Sequence, residues 1–219
     1  MPAIIFGSIG SVLETSELQR DSFNEAFEKH GLDWHWDQDT YRDLLAASGG
    51  RRRIEAFAAA RGEPVDADAV HATKSQLFQE RMQRGDLEPR EGVRDVIGAA
   101  RAAGLKIGFA TTTTKENVRD VLASLGTAAD FDVVLSADDV ANPKPAPDAF
   151  RVAQERLGVR GGVAIEDNVG GVEAARAAGL ATIAFPGANT ADHDYGAADH
   201  VMRDRLDAER IVALAREGN

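Results

Sequence analysis

Apolar residues in this chain fall into short unbroken runs separated by stretches of helical periodicity. The runs are AIIF at 3–6, KIGFA at 106–110, DVVLS at 132–136, GVAI at 162–165 and ATIAF at 181–185, with a shorter one near HVM at 200–202. Near-continuous apolar runs of this length suit strands covered on both faces. The heptapeptide AARAAGL occurs at 99–105 and again at 174–180, and each copy leads directly into one of the runs. Each copy reads as a helix closing on a glycine, Gly104 or Gly179, in the left-handed position after its last turn. Helix feeding strand, repeated, predicts an α/β fold with a Rossmann-like parallel sheet and crossover helices. The run at 3–6 joins that sheet.

Between the first run and about residue 87 the pattern changes. Residues 16–30, roughly 38–61 and 66–84 read as helix, and no strand pattern interrupts them. LEPREG at 87–92 carries the proline and glycine of a return linker. The predicted map is an α/β core made of residues 1–16 and 87–219, with a small all-helical cap at 17–86.

Composition narrows the partners. The 219 residues carry a formal net charge of −11, which argues against nucleic acid, whose phosphates require clustered Lys and Arg. The densest basic run, Arg51-Arg52-Arg53, is sized for one anionic group. Cysteine is absent, which removes disulfides, thiolate nucleophiles and Cys-based zinc sites. No segment has the order of a signal peptide or the length of a membrane span, so a soluble cytoplasmic protein is expected, with no membrane partner. The histidines, His30, His35, His71, His193 and His200, are scattered, and Trp34 and Trp36 in DWHWD are expected to pack the cap.

Ligands of open parallel sheets bind beyond the carboxyl ends of the strands. Four threonines, Thr111–Thr114, follow the second run. Their hydroxyls and backbone N–H groups can hold phosphate oxygens or simply cap the next helix. Lys144 lies between Pro143 and Pro145, which stiffen the backbone. It reads as a cation aimed at phosphate or as a surface lysine in a turn. Glu166 and Asp167 end the run GVAI. Two acids there suit an oxygen-liganded Mg²⁺ or the positive end of the following helix.

Together NPKPAPDAF, EDNVGGVEAARAAGL, ATTTTKENV, RDSFNEAFEKHGLDWHWD and FPGANTADHDYGAADHV resemble the haloacid dehalogenase superfamily of phosphatases and phosphomutases. The resemblance covers essentially the whole chain. It is closest to the branch with a helical cap after the first strand, which includes β-phosphoglucomutase-like enzymes and Calvin-cycle-associated sugar-bisphosphate phosphatases. It implies that the Thr111 hydroxyl bonds the transferring phosphoryl group, with Thr112 beside it in substrate binding. Lys144 is implied to neutralise charge on nucleophile and phosphate, and Glu166 and Asp167 to hold Mg²⁺. GGRRRI at 49–54 is similar to the segment whose arginine grips a distal anionic group, which nominates Arg53 and then Arg51. A cleft between cap and core is implied to enclose the substrate and exclude water.

One motif departs from that pattern. The family has two aspartates, separated by one residue, at the end of the first strand: a nucleophile and a general acid/base. Here FGSIGSVLETSE places Gly7 and Ile9 at those positions. Glycine cannot form a covalent intermediate, and isoleucine cannot transfer a proton, a role worth about 10²–10⁴-fold. Mg²⁺ also loses a carboxylate, so its binding is expected to weaken. Alternation along the strand sends Ser8 away from the site if 7 and 9 face it, and GSIG does not match the Gly-x-Ser-x-Gly elbow. A dinucleotide turn is disfavoured as well, because Gly7 and Gly10 do not complete a three-glycine fingerprint. The expected function is a phosphatase- or phosphomutase-type protein with a sugar-phosphate site and impaired catalysis, taking a small phosphorylated metabolite or phosphate. The alternatives are an active phosphatase using an unusual nucleophile or water, and a non-catalytic regulatory or interaction protein.

Overall fold

The first strand lies inside a parallel sheet, so the turn that follows it opens between two neighbouring strand ends. A computed structural model describes residues 2–45, 49–84, 88–125 and 130–217. In chain order its elements are β1 (Ala3–Phe6), α1 (Ser16–Lys29), α2 (Gln38–Leu44), α3 (Gly50–Arg61), α4 (Ala67–Arg84), α5 (Val93–Ala102), β2 (Lys106–Ala110), α6 (Lys115–Leu125), β3 (Val133–Leu135), α7 (Asp148–Leu157), β4 (Gly162–Glu166), α8 (Val169–Ala177), β5 (Ala181–Ala184), β6 (His200–Val201) and α9 (Ala208–Glu217). The chain divides into two compact units, Met1–Glu14 with Asp86–Asn219, and Thr15–Gly85.

The first unit is the α/β layer structure. Its strands run in the order β3-β2-β1-β4-β5-β6, and every pairing is parallel. β1 and β4 are buried along their whole length, as their unbroken apolar runs require. The repeated heptapeptide does what its sequence predicts: α5 and α8 are followed by Gly104 and Gly179, at φ 71° and 79°. Only a residue without Cβ adopts that conformation cheaply. Register then fixes the level of the strand ends. Phe6 faces Phe109 of β2 on one side and Ile165 of β4 on the other, so the residues that follow, Gly7, Ala110 and Glu166, lie side by side. Neighbouring strands are about 4.8 Å apart, so side chains leaving these ends must meet.

The regular elements described in the second unit are all helices. On α4 the buried positions are Ala67, Val70, Lys74, Leu77, Phe78 and Met82, the three- and four-residue spacing of one helix face. Its aromatic centre holds Trp36 with ring centroids 4.7 Å from Phe23 and 4.8 Å from Phe27. Trp34 is buried beside them while His35, between the two tryptophans, is exposed. One expectation is corrected here. The stretch 38–61 is not one helix: α2 ends at Leu44, and α3 begins after Gly49, whose φ of 98° is incompatible with a continuing helix. Residues 86 and 87, the expected end of the cap and start of the linker, lie outside the described residues. Among the described residues no helix is long and apolar enough to cross a membrane.

Candidate functional site

Three strand ends and one loop lysine converge in the α/β unit. Lys144 precedes Pro145 through a cis peptide and is 7% exposed, so it is not a surface lysine. Its ammonium donates to the carbonyls of Gly7 and Ala110, the latter at 2.9 Å, and to Glu166 Oε1 at 2.5 Å. It also stands 4.4 Å from the centroid of the Phe150 ring, an attractive position for a cation. One side chain therefore ties together the ends of β1, β2 and β4.

Glu166, the last residue of β4, is 1% exposed. Burial pushes its carboxyl above the ordinary carboxylate range, while the Lys144 ammonium pulls it down. A Cβ on Gly7 would lie 2.1 Å from Glu166 Oε1 and 2.8 Å from Phe150 Cζ. A Cβ on Gly171 would lie 2.1 Å from Glu166 Cδ. The carboxylate thus stands in space that exists because positions 7 and 171 lack side chains.

Asp167 is half-buried and bound on several sides. Its Oδ1 accepts from Ser8 Oγ and from Asn168 Nδ2, each at 2.8 Å. A Cβ on Gly10 would lie 1.8 Å from Oδ2. Its main-chain carbonyl accepts from Thr190 Oγ1 at 2.9 Å and from Tyr195 OH at 2.7 Å. Burial pushes the Tyr195 phenol up to about 12, so it remains a donor. Neither acid caps α8, because Asn168 is the N-cap and its side chain accepts from Gly171 N at 2.9 Å.

Ser8 is not turned away, as strand alternation implies. Ser8 keeps an extended backbone (φ −154°, ψ 162°) yet serves as the N-cap of a 3₁₀ turn over Ile9–Ser11. Its hydroxyl accepts from Ser11 N at 3.1 Å while donating to Asp167. Ile9, in the same turn, is buried. Thr111 directly follows β2 and is buried; its Oγ1 accepts from Thr113 N at 3.3 Å. Thr112 is half-buried, and Thr114 Oγ1 accepts from Asn117 N at 3.4 Å, in the first turn of α6. The structure brings Gly7, Lys144, Glu166 and Phe150 into contact, and Ser8 into contact with Asp167.

Arg51 and Arg53 belong to the other unit, on α3. The exposed guanidinium of Arg51 is paired with Glu55 and, at 2.8 Å, with Asp68. Half-buried Arg53 lies 6.0 Å from the centroid of the Tyr41 ring. Sequence reasoning overlooked Lys74 of α4, which is 6% exposed. Its ammonium donates to Gln19 Oε1 at 3.0 Å and lies 4.8 and 4.9 Å from the rings of Phe23 and Phe78. Burial, with repulsion from Arg53, pulls the Lys74 amine down to about 7. The only sequence signal was a lysine at an apolar helix position. Arg90 was overlooked too. Its guanidinium donates to the carbonyls of Gly10 at 2.7 Å, Phe185 at 2.6 Å and Pro186 at 2.5 Å. Its carbon lies 3.4 Å from the centroid of the Phe185 ring.

The N–H groups of Gly7 and Thr111 are engaged by the carbonyls of Ile165 and Leu135, so the threonine hydroxyls after β2 are the donors this arrangement offers an oxyanion. It offers no carboxylate at the end of β1 to attack phosphorus. Comparison with known proteins gives the context. A family model described as haloacid dehalogenase-like hydrolase matches residues 3–179. Protein CbbY of Cereibacter sphaeroides is 39% identical over 209 residues, covering 91% of this chain and 90% of that protein. The crystal structure of CbbY from Rhodobacter sphaeroides in complex with phosphate superposes with a TM-score of 0.83 at 37% identity, over 92% of this chain and 94% of that one. A mutant of that protein in complex with xylulose-(1,5)bisphosphate gives the same TM-score and coverage at 35% identity.

Proposed function

The chain belongs to the haloacid dehalogenase-like hydrolases, and from that membership we propose that it binds a small phosphorylated metabolite of the sugar-phosphate class without forming an aspartyl-phosphate. The observation that carries this reading is the relation between Gly7 and Glu166. The family's nucleophile position has no side chain, and the Glu166 carboxylate stands 2.1 Å from where one would begin. Ile9 supplies no proton to a leaving group. The hydroxyls of Thr111 and Thr112 would hold phosphoryl oxygens, and Arg53, with Arg51, is proposed as an anion-binding pair on α3. The ligand class is supported by one relative, solved in complex with phosphate and, as a mutant, with xylulose-(1,5)bisphosphate.

The test is a panel of sugar mono- and bisphosphates, assayed for binding by calorimetry, for phosphate release, and for acid-stable or acyl-linked phosphoprotein. Saturable binding without release or phosphoprotein is expected. Turnover abolished by Asp167→Ala would overturn the impaired reading. Turnover that survives Lys144→Ala and Asp167→Ala together would place the chemistry elsewhere.

One contact favours a second reading, an active phosphatase with a different nucleophile. Ser8 Oγ donates to Asp167 Oδ1 at 2.8 Å. In that reading the oxygen attacks phosphorus, its proton passes to Asp167, and the phosphorus–oxygen bond to the leaving group breaks. Phosphoserine at residue 8, detected by mass spectrometry after quenching with substrate, would decide for it.

A further inference from the structure

The residues at the strand ends do not fit the divalent cation that the family resemblance implies, and we propose that the Lys144 ammonium organises the site in its place. Mg²⁺ requires a near-octahedral set of oxygens at about 2.0–2.1 Å. At this site all but one of the candidate oxygens face hydrogen-bond donors, the Ile9 carbonyl included, which accepts from Val12 N and Leu13 N. Glu166 Oε1 accepts from Lys144 at 2.5 Å, and Oε2 accepts from Asp167 N at 3.2 Å. Asp167 Oδ1 accepts from Ser8 and Asn168, and Oδ2, the exception, stands where a Cβ on Gly10 would begin. The carbonyls of Gly7 and Ala110 accept from Lys144, and that of Gly10 accepts from Arg90. The side chains at 7 and 9 carry no oxygen at all. Among the described residues no group of three or more His, Cys, Asp or Glu side chains is placed to hold a metal.

Lys144 supplies what such a set lacks. An ammonium has three N–H donors and no acceptor, and Lys144 meets three acceptors: two strand-end carbonyls and one carboxylate oxygen. It compensates the buried charge of Glu166, which would be costly alone. Unlike a metal, it is covalently attached and cannot be chelated away. This deepens the proposed function, since a phosphorylated ligand would then be taken up as the free anion, with its affinity independent of divalent cations. That consequence rests on the binding reading; the metal measurement does not.

The metal is tested first on the wild-type chain with no phosphate present, by following the free Mn²⁺ electron paramagnetic resonance signal during titration. No saturable loss of signal below millimolar Mn²⁺ is expected. Lys144→Met, which frees the Glu166 oxygens, is expected to bind Mn²⁺ about tenfold more tightly or better. Sub-millimolar binding by wild type that is lost in Asp167→Asn would overturn the proposal, and the wild-type result decides even if Lys144→Met does not fold. Sub-millimolar binding that survives both Asp167→Asn and Glu166→Gln lies at another site and leaves Lys144 as the organising cation. Calorimetry with a bound sugar phosphate, in Mg²⁺ and in chelator, tests the second arm separately. Equal affinity is expected, and affinity lost on chelation would count against it.

Discussion

The carboxylate of Glu166 and the α-carbon of Gly7 share one small space: a Cβ on the glycine would stand 2.1 Å from Glu166 Oε1. The two positions are neighbours because the register of β1 with β4 leaves Gly7 and Glu166 at the same level. A side chain at 7 and the present placement of Glu166 exclude each other. Gly7→Ala is therefore expected to destabilise the protein by about 1–3 kcal/mol through overpacking, read from the urea midpoint. A wild-type midpoint would mean that Glu166 moves aside at no cost.

The same crowding bears on attempts to rebuild the first motif. Gly7→Asp with Ile9→Asp adds two carboxylates beside Glu166 and Asp167, and the first needs the space that Glu166 fills. The double variant is expected to melt below wild type in metal-free buffer and to recover part of that loss in millimolar Mg²⁺, since new oxygens create a ligand set. Thermal melts with and without Mg²⁺ check this. A melt that Mg²⁺ leaves unchanged would show that Lys144 keeps its place among the added acids.

Lys144 and Glu166 are buried together, so removing either one strands the other's charge. Glu166→Gln and Lys144→Met are each expected to cost about 3–5 kcal/mol. The double variant should lose clearly less than the sum, because the charge left uncompensated in each single variant is gone. A double-mutant cycle by chemical denaturation measures the coupling, and additive losses would refute it.

Lys74 makes stability depend on pH. Its amine has a value of about 7 in the folded chain against an ordinary 10.5. Between those values the unfolded chain binds the extra proton, so stability rises with pH, at up to roughly 1.4 kcal/mol per pH unit. Below about 7 both states are protonated and the burial penalty is constant. Lys74→Met should flatten the rise between neutral pH and pH 10 and stabilise the protein at neutral pH. Denaturation midpoints across that range are the measurement, and an unchanged slope would mean that the folded amine keeps its ordinary value.

Ser8 spans two elements, capping the turn over Ile9–Ser11 and donating to Asp167. Ser8→Ala loses the cap and leaves Asp167 Oδ1 with Asn168, at an expected cost of about 1 kcal/mol. Equilibrium unfolding checks the magnitude. A loss near zero would mean that water replaces both bonds.

What the sequence determined alone was the part of the fold written in local pattern. Unbroken apolar runs identified the strands, because a strand covered on both faces admits few polar positions. The heptapeptide repeat marked two helix ends, because a left-handed closing residue selects glycine. The motif order identified the family, and the same resemblance implied aspartates where this chain has Gly7 and Ile9. Tertiary structure decided what occupies the space beside Gly7. Lys144 reaches the Gly7 carbonyl across 137 positions of chain, and Ser8 reaches Asp167 across 159. No local periodicity encodes such contacts. Alternation did not reveal that Ser8, still extended in its own backbone, caps the turn that follows and donates to Asp167. Burial removed the surface-lysine reading of Lys144, and the N-cap role of Asn168 removed the capping reading of Glu166; a carboxylate and an ammonium withdrawn from water at adjoining strand ends are most stable when each answers the other's charge.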